Sequence, residues 1–449
     1  MKRIAVLGAA ESGVGTAILA QKQGWDVFVS DMGSIKDKYK QQLDAHHIQW
    51  EEGGHTESLI LNADTVVKSP GIPDTAPLVQ KLIQQGTPVL AELEFAKPYS
   101  RGKTICITGS NGKTTTTTLI YYIMKQWGVD VGLAGNIGRS FALQVAEGDH
   151  DWYVLEISSF QLDNMYTFRA DIAVLMNITP DHLDRYEFQM QHYVDSKMRI
   201  LQNMRPTDAF IYWNQDEHIG RELKMRKEGH IAPATTPSSR PAAKGEPKEM
   251  GFDDTRFGGL GLSFSQMGRH NERNATAAYL ATKEAGVPDE LIRKCLADFP
   301  GVEHRLERVE ERGGILFIND SKATNVDACH VALQAMTRPT ILIVGGKDKG
   351  NDYTVLFDLI RQKCAGLVYL GADNAKLHAS FDPLGLPVRD THSMEDCVKA
   401  CIDMARPGDC VLLSPCCASF DLFRNMEDRG EQFKALVRKY APSTDRCTE

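Results

Sequence analysis

Thr108-Gly109-Ser110-Asn111-Gly112-Lys113-Thr114-Thr115 follows the apolar run Ile105-Cys106-Ile107 and precedes Leu119-Ile120-Tyr121-Tyr122-Ile123-Met124, whose pattern is helical. Strand, glycine loop, Lys-Thr and helix, in that order, make a phosphate cradle. Backbone N–H groups and the positive end of a helix attract phosphate. The Lys113 ammonium can reach β and γ phosphates, and the Thr114 hydroxyl can bind Mg²⁺. Gly109 and Gly112 allow backbone conformations that a side chain would block. Ile107 stands where the longer form of this loop has its first glycine, so this is the shorter Gly-x-x-Gly-Lys-Thr form.

Downstream of the loop, Val131-Gly132-Leu133 leads into Gly135-Asn136-Ile137-Gly138. Tyr153-Val154-Leu155-Glu156 reads as a buried strand ending in a carboxylate, placed where a Mg²⁺-bound triphosphate would lie. A surface salt bridge is the alternative role for Glu156. Ile172-Ala173-Val174-Leu175-Met176 is another strand, and it runs into Asn177-Ile178-Thr179-Pro180-Asp181-His182-Leu183-Asp184-Arg185-Tyr186. A histidine such as His182, taken alone, is more often structural than functional. A helix then carries Lys197, which on the bare pattern reads as a solvated charge. Thr235 to Met250 is rich in Pro, Ser and Lys and is expected to be a surface excursion without chemistry.

Upstream, Ile4-Ala5-Val6-Leu7 is a strand, then Gly8-Ala9-Ala10-Glu11-Ser12-Gly13, a helix, and a second strand Val27-Phe28-Val29-Ser30 ending at Asp31. This is Rossmann-like βαβ spacing, but Ala10 stands at the second fingerprint glycine, which argues against a dinucleotide. Asp31 can hydrogen-bond a ribose or a base, or merely close a solvated turn. Val66-Val67-Lys68-Ser69-Pro70-Gly71-Ile72 is a further strand and turn, and Lys97-Pro98-Tyr99-Ser100-Arg101-Gly102 is linker-like. Towards the C-terminus strands recur at Ile315–Ile318, Thr340–Val344, Leu367–Leu370 and Cys410–Leu413. The expected fold is α/β with three domains. A Rossmann-like N-terminal domain spans 1–94, a central P-loop ATPase-type parallel-sheet domain spans 95–300, and a C-terminal α/β Rossmann-like domain spans 301–449.

Composition sets the bounds. The 449 residues suit about two to four domains. A net charge of −8 argues against nonspecific nucleic-acid binding. Ten cysteines without a Cys-x-x-Cys pair fit a reducing compartment and structural thiols. The apolar run after Met1-Lys2-Arg3 is too short for a signal peptide and is soon followed by Glu11. No stretch approaches a membrane span.

On these motifs the chain resembles the Mur ligase family of ATP-dependent amide-forming ligases. The phosphate loop is joined by Glu156-Ile157-Ser158-Ser159-Phe160-Gln161-Leu162, the Asn177–Tyr186 segment, and His270-Asn271 with Asn274. Gly301 with His304-Arg305 follows, then Asn319-Asp320-Ser321-Lys322-Ala323-Thr324-Asn325, and Leu413-Ser414-Pro415 with Ala418-Ser419-Phe420-Asp421. These motifs span nearly the whole chain in family order. The Asn319–Asn325 and Leu413–Asp421 segments point to the D-glutamate-adding branch.

The resemblance implies a UDP-substrate domain, an ATPase domain and an amino-acid domain. The expected reaction adds D-glutamate to UDP-N-acetylmuramoyl-L-alanine through an acyl phosphate, giving ADP and phosphate. Gly109, Ser110, Asn111, Gly112, Lys113, Thr114 and Thr115 are expected to hold ATP, with Asn271, Asn274, Arg305 and Asp320. Thr114, Glu156, His182 and a carbamylated Lys197 are the expected Mg²⁺ ligands. Lys113, Glu156, His182 and Lys197 are the expected catalytic set. Ser12, Asp31, Ser69, Gly71, Asn136 and His182 are expected to meet the UDP-substrate. Lys322, Thr324, Lys349 and Ser419 are expected to receive D-glutamate, with Lys347 the competitor of Lys349. Met426 stands where relatives often carry Phe beside that pocket. The partners implied are small molecules, with no nucleic acid and no membrane insertion, in a cytoplasmic monomer. A sister ligase, a folylpolyglutamate synthetase, and a P-loop switch or NAD-binding protein are the rival readings. Acceptor-dependent phosphate release separates them.

Overall fold

A computed structural model describes residues 2–228, 246–266, 268–348 and 350–441. The chain forms three sheets. The first contains β1 (Arg3–Leu7), β2 (Asp26–Asp31), β3 (Gln49–Glu52), β4 (Thr65–Lys68) and β5 (Val89–Leu90), all parallel in the order β3-β2-β1-β4-β5. β1 is central, with Ile4 opposite both Val27 and Thr65. Ile4 to Leu7 are buried without alternation, as expected for a parallel strand covered on both faces.

The second sheet contains β6 (Lys103–Thr108), β7 (Val131–Gly135), β8 (Trp152–Glu156), β9 (Ile172–Leu175), β10 (Ala209–Trp213) and β11 (Lys248–Phe252). It too is all parallel, in the order β11-β10-β9-β6-β8-β7. β11 corrects the expected surface excursion: Lys248 to Met250 are strand, paired edge-on with β10. The rest of that excursion, up to Gly245, lies outside the described residues.

The third sheet contains β12 (Glu307–Arg312), β13 (Ile315–Asn319), β14 (Thr340–Gly345), β15 (Cys364–Leu370), β16 (Val388–Thr391) and β17 (Cys410–Cys416), in the order β12-β13-β17-β14-β15-β16. β12 is antiparallel to β13 and makes the sheet mixed. The hairpin turns on Gly313 and Gly314, both in the left-handed region at φ 56° and 74°. That pair of positive φ values matches strand twist in a two-residue turn.

Contacts divide the chain into two compact units. One holds the residues up to Ser265 with Asn271–Phe299, and the other holds Gln266–His270 with the chain from Pro300 onward. The first two sheets therefore share one unit and a continuous core that runs from Ile4 and Val29 to Phe141, Leu155 and Phe210. Helix Glu11–Lys22 lies so close to helix Phe141–Glu147 that a Cβ on Gly15 would sit 2.0 Å from Ser140 Oγ. Glu92 accepts from Ser140 Oγ and from Ala142 N at 3.0 Å. Glu94 accepts from Tyr166 N, Thr167 N and Phe168 N at 3.0, 2.8 and 2.9 Å. The stretch expected to be linker-like is packed instead: the Tyr99 ring lies tilted against Phe95, 5.5 Å between centroids, and its hydroxyl accepts from Trp25 Nε1 at 3.0 Å. The second unit has its own cores on the two faces of its sheet.

Candidate active site

While Ser12, Lys197, Asn271 and Asn274 sit on helices, most candidate residues lie at the C-terminal ends of strands, where open α/β sheets bind ligands. In the second sheet these are the adjacent strands β9, β6 and β8. The glycine loop leaves β6 and enters helix Lys113–Trp127, with Gly112 in the left-handed region at φ 84°. Gly109 has φ 142°, and a Cβ there would lie 3.0 Å from Met176 Cβ. Asn177, at the end of β9, braces the loop. Its side chain accepts from Asn111 N at 2.8 Å and donates to Asn111 O at 3.1 Å, and its carbonyl accepts from Ser110 N at 2.9 Å. Ser110 Oγ donates to Thr179 O at 2.8 Å and lies 3.0 Å from Tyr193 OH. Lys113 Nζ folds over the loop onto Gly109 O and Ser110 O, both at 2.8 Å. Asn274, on helix Arg269–Glu284, abuts the loop: its Oδ1 would lie 2.5 Å from a Cβ on Gly112. Asn274 also donates to Asn271 Oδ1 at 3.1 Å.

Glu156 is not in a surface salt bridge, since it is only 1% exposed. Its Oε1 accepts from Asn136 Nδ2 at 2.8 Å, while Oε2 has no hydrogen-bond partner among the described residues. Lys197, the residue that reads as solvated from pattern alone, is also 1% exposed. It sits in helix Met190–Met198, donates to Thr108 Oγ1 at 3.3 Å, and lies 5.3 Å from the centroid of the Tyr193 ring. Burial, and then the nearby Lys113 charge, hold its ammonium well below the usual lysine range. His182 is exposed, in the left-handed region at φ 51°, with its ring 5.1 Å from Phe160. Glu156 ends β8, which pairs with β6, and its orphaned carboxylate oxygen and the hydroxyl of the half-buried Thr114 in the loop that follows β6 are oxygen donors of the kind a hard cation takes. Those residues fit Mg²⁺.

In the first sheet the strands concerned are β2, β1 and β4. A cavity of about 680 Å³ opens at their ends, lined among others by Gly8, Asp31, His55, Ser69, Gly71 and Ile72. Asp31 accepts from Ala9 N at 2.7 Å and Gly33 N at 2.8 Å, so it shapes the loop as well as facing the cavity. A Cβ on Gly8, at φ 92°, would collide with Ser69 Oγ at 2.3 Å. Arg185 donates to Gly71 O at 3.2 Å, tying the Ser69-Pro70-Gly71 turn to the segment that carries His182. Ser12 does not line the cavity, and Asn136 is engaged with Glu156. His55 was not foreseen; it lies in a polar turn with no distinguishing pattern.

In the third sheet the strands are β13, β17 and β14. Asp320 follows β13 and is buried, accepting from Ser414 Oγ at 2.8 Å and Leu306 N at 3.2 Å. Burial pushes its carboxyl up to about 7 against the pull of Arg305. Arg305 Nε has no hydrogen-bond partner among the described residues. Lys322 and Thr324 follow in the same loop, with Lys322 N on His304 O at 3.0 Å. Ser419 is buried after β17. Met426 opens helix Met426–Tyr440, and its carbonyl accepts from Ser321 Oγ at 2.8 Å. Lys349 lies outside the described residues. Lys347 is exposed, and its backbone N–H donates to Ala418 O at 2.8 Å.

The MurD N-terminal domain family matches residues 3–77, the Mur ligase middle domain 107–282, and the Mur ligase glutamate ligase domain 304–417. A UDP-N-acetylmuramoylalanine–D-glutamate ligase of Bacteroides thetaiotaomicron is 59% identical, covering 98% of this chain and 100% of its own. One of Porphyromonas gingivalis is 48% identical, covering 97% and 98%. Among solved structures, MurF from Acinetobacter baumannii has a TM-score of 0.58 at 16% identity, covering 98% of this chain and 94% of its own. UDP-N-acetylmuramate-alanine ligase MurC from Thermotoga maritima has 0.57 at 16%, covering 98% and 99%. At such identities the structures speak for the fold alone.

Proposed function

The chain belongs to the Mur ligase family, and from that premise we propose that it joins D-glutamate to UDP-N-acetylmuramoyl-L-alanine with ATP, in peptidoglycan precursor synthesis. ATP converts the substrate carboxylate to an acyl phosphate. The amine of D-glutamate then attacks through a tetrahedral intermediate, and phosphate leaves beside ADP. The observation that carries this reading is the braced phosphate loop with the half-orphaned Glu156 carboxylate on the adjoining strand.

Each residue has a physical task. The loop N–H groups and the Lys113 ammonium take the triphosphate, with Gly109 to Thr115 wrapping it. Thr114 and Glu156 would hold Mg²⁺, with His182 and Lys197 at a second position. Mg²⁺, when bound, neutralises charge on the phosphoryl group in transit. Asn271 and Asn274, with Arg305 and Asp320, would hold the nucleotide. The cavity at Asp31, Ser69 and Gly71 would take the uridine diphosphate end, with Ser12, Asn136 and His182 meeting the rest of that substrate. Lys322, Thr324, Lys349 and Ser419 would take the two carboxylates of D-glutamate. Holding the three reactants together supplies much of the rate. The domain limits proposed are 1–94, 95–300 and 301–449, in a cytoplasmic monomer. Among the described residues no helix is long and apolar enough to cross a membrane.

Lys197 is proposed to be carbamylated. Burial and the Lys113 charge favour its neutral amine, the form that adds carbon dioxide. The new N–C bond forms, a proton leaves to water, and a carboxylate-like anion replaces the neutral amine within the field of Glu156. Lys197→Ala should be nearly inactive and partly restored by added short carboxylates; an unmodified Lys197 in the active, Mg²⁺-loaded enzyme would overturn the assignment. The function itself is tested by phosphate release with UDP-N-acetylmuramoyl-L-alanine and ATP, with and without D-glutamate. Release should require D-glutamate, and equal use of D-alanine would refute the acceptor.

A further inference from the structure

Arg429 is the largest fully buried side chain of the described residues, only 1% exposed. It lies in the first turns of helix Met426–Tyr440. Its Nε donates to Ser321 Oγ at 3.0 Å, Nη2 to Ser321 O at 2.8 Å, and Nη1 to Cys417 O at 3.2 Å. Ser321 belongs to the loop after β13, and Cys417 to the loop after β17. Gly346, after β14, is the third neighbour: a Cβ there would lie 3.3 Å from Arg429 Nη1 and 2.3 Å from Ala418 O. One guanidinium thus sits where the loops of three adjacent strands converge.

Among the described residues no carboxylate lies within ion-pair distance of it. The nearby acids stand off: Asp320 accepts from Ser414 and Leu306, and Asp421 accepts from Ala372 N at 3.0 Å through Oδ2, while its Oδ1 has no hydrogen-bond partner among the described residues. Both favour the Arg429 charge only from a distance. Burial lowers the Arg429 guanidinium to about 10, which leaves it charged at neutral pH. A planar fork with five donors suits this three-way bridging in a way that an ammonium does not. A buried cation without a carboxylate partner is costly.

We propose that Arg429 is a positioning residue of the acceptor pocket: it clamps the Lys322–Thr324 loop to the Cys417–Ser419 loop, and its buried charge, in contact with no carboxylate, favours a dianionic amino acid there. This rests on the reading of Lys322, Thr324 and Ser419 as the D-glutamate site. Arg429 is too deeply buried to touch the amino acid itself, so its effect passes through the loops and through the field.

The test uses the full enzyme. Arg429→Lys keeps the charge and loses the fork. It should raise the KM for D-glutamate by about tenfold or more, as expected for lost hydrogen bonds to a charged group, while the KM for ATP changes less than about twofold. Arg429→Met should in addition narrow the preference for D-glutamate over D-glutamine, and Arg429→Lys should retain more of it. Ser321→Ala removes only the hydroxyl between Arg429 and Met426 and should give a smaller rise, about threefold. If Arg429→Met does not fold, the other two variants decide. An unchanged KM for D-glutamate in Arg429→Lys and Ser321→Ala, or an equal rise for ATP, would overturn the proposal. Lys322→Ala is the separate control: if it leaves the KM for D-glutamate unchanged, the acceptor-site reading fails first.

Discussion

Lys113 and Glu156 show how a single atom decides a role. The Lys113 ammonium rests on two loop carbonyls, 2.8 Å from each, at the place where a phosphate would compete for it. Lys113→Ala should abolish ADP formation with an unchanged far-UV spectrum; near wild-type turnover would sink the phosphate-loop assignment. Glu156→Gln keeps the shape and the Asn136 contact but removes the anion. The Mg²⁺ concentration for half-maximal rate should rise by about tenfold or more, consistent with loss of a charged oxygen ligand, and an unchanged Mg²⁺ profile would make Glu156 structural. Glu92 carries a pH prediction. Burial raises its carboxyl to about 7, opposed by its bond from Ser140. Below the unfolded value both states hold the proton. As pH rises from there to about 7 only the unfolded chain releases it, so stability falls, and above that the loss is constant. The cost is at most on the order of 3 kcal/mol. Glu92→Gln should therefore lose less stability between pH 5 and pH 8 than the parent, read as urea midpoints. Parallel slopes would show that Glu92 does not titrate in this window.

At the scale of elements, two closely packed helices join the first sheet to the second. Gly15 in helix Glu11–Lys22 faces Ser140, the N-cap of helix Phe141–Glu147, whose hydroxyl accepts from Leu143 N at 3.0 Å. A methyl at Gly15 has no room, and helix propensity alone would favour alanine there. Packing should win: Gly15→Ala is expected to destabilise by about 1–3 kcal/mol, the usual cost of overpacking a close contact. A raised melting temperature would mean that the helices part easily and that this contact does not hold the two sheets together. Other elements are set by short local signals. Asn325 and Asn425 cap helices Val326–Ala335 and Met426–Tyr440 by accepting from Ala328 N at 2.8 Å and Asp428 N at 2.7 Å.

For the whole molecule, one rule recurs: in each sheet most of the strand-end candidates follow three neighbouring strands, β2-β1-β4, β9-β6-β8 and β13-β17-β14, while Asn136 follows β7 and Lys197, Asn271 and Asn274 lie on helices. The first two sheets share a core, whereas the third has cores of its own. Trp25, Trp50, Trp127, Trp152 and Trp213 all lie in the unit of the first two sheets, and no tryptophan follows Pro300. Tryptophan fluorescence should report a single urea transition for that unit, while far-UV circular dichroism should show an additional, non-coincident one for the third sheet. Superimposable curves would show that the two units unfold as one.

Much of this was legible in residues. Apolar runs ending in a glycine loop, in Asp31, in Glu156 or in Asn319-Asp320 mark strands and their functional ends because burial on both faces and glycine's freedom are local properties. The Gly313-Gly314 hairpin and its antiparallel strand β12 went unread, because β12 has mostly polar residues and carries no apolar run to announce it. What the tertiary structure alone decided is adjacency and depth. Lys197, Arg429 and Lys248 look alike as charged residues in polar surroundings. Folding buries the first beside the phosphate loop, buries the second between three loops, and places the third on a sheet edge. Strand order, β9-β6-β8 rather than chain order, brings Asn177 and Glu156 to either side of the loop. Those outcomes rest on hydrogen-bond pairing and packing between segments far apart in sequence, and no window along the chain contains both partners.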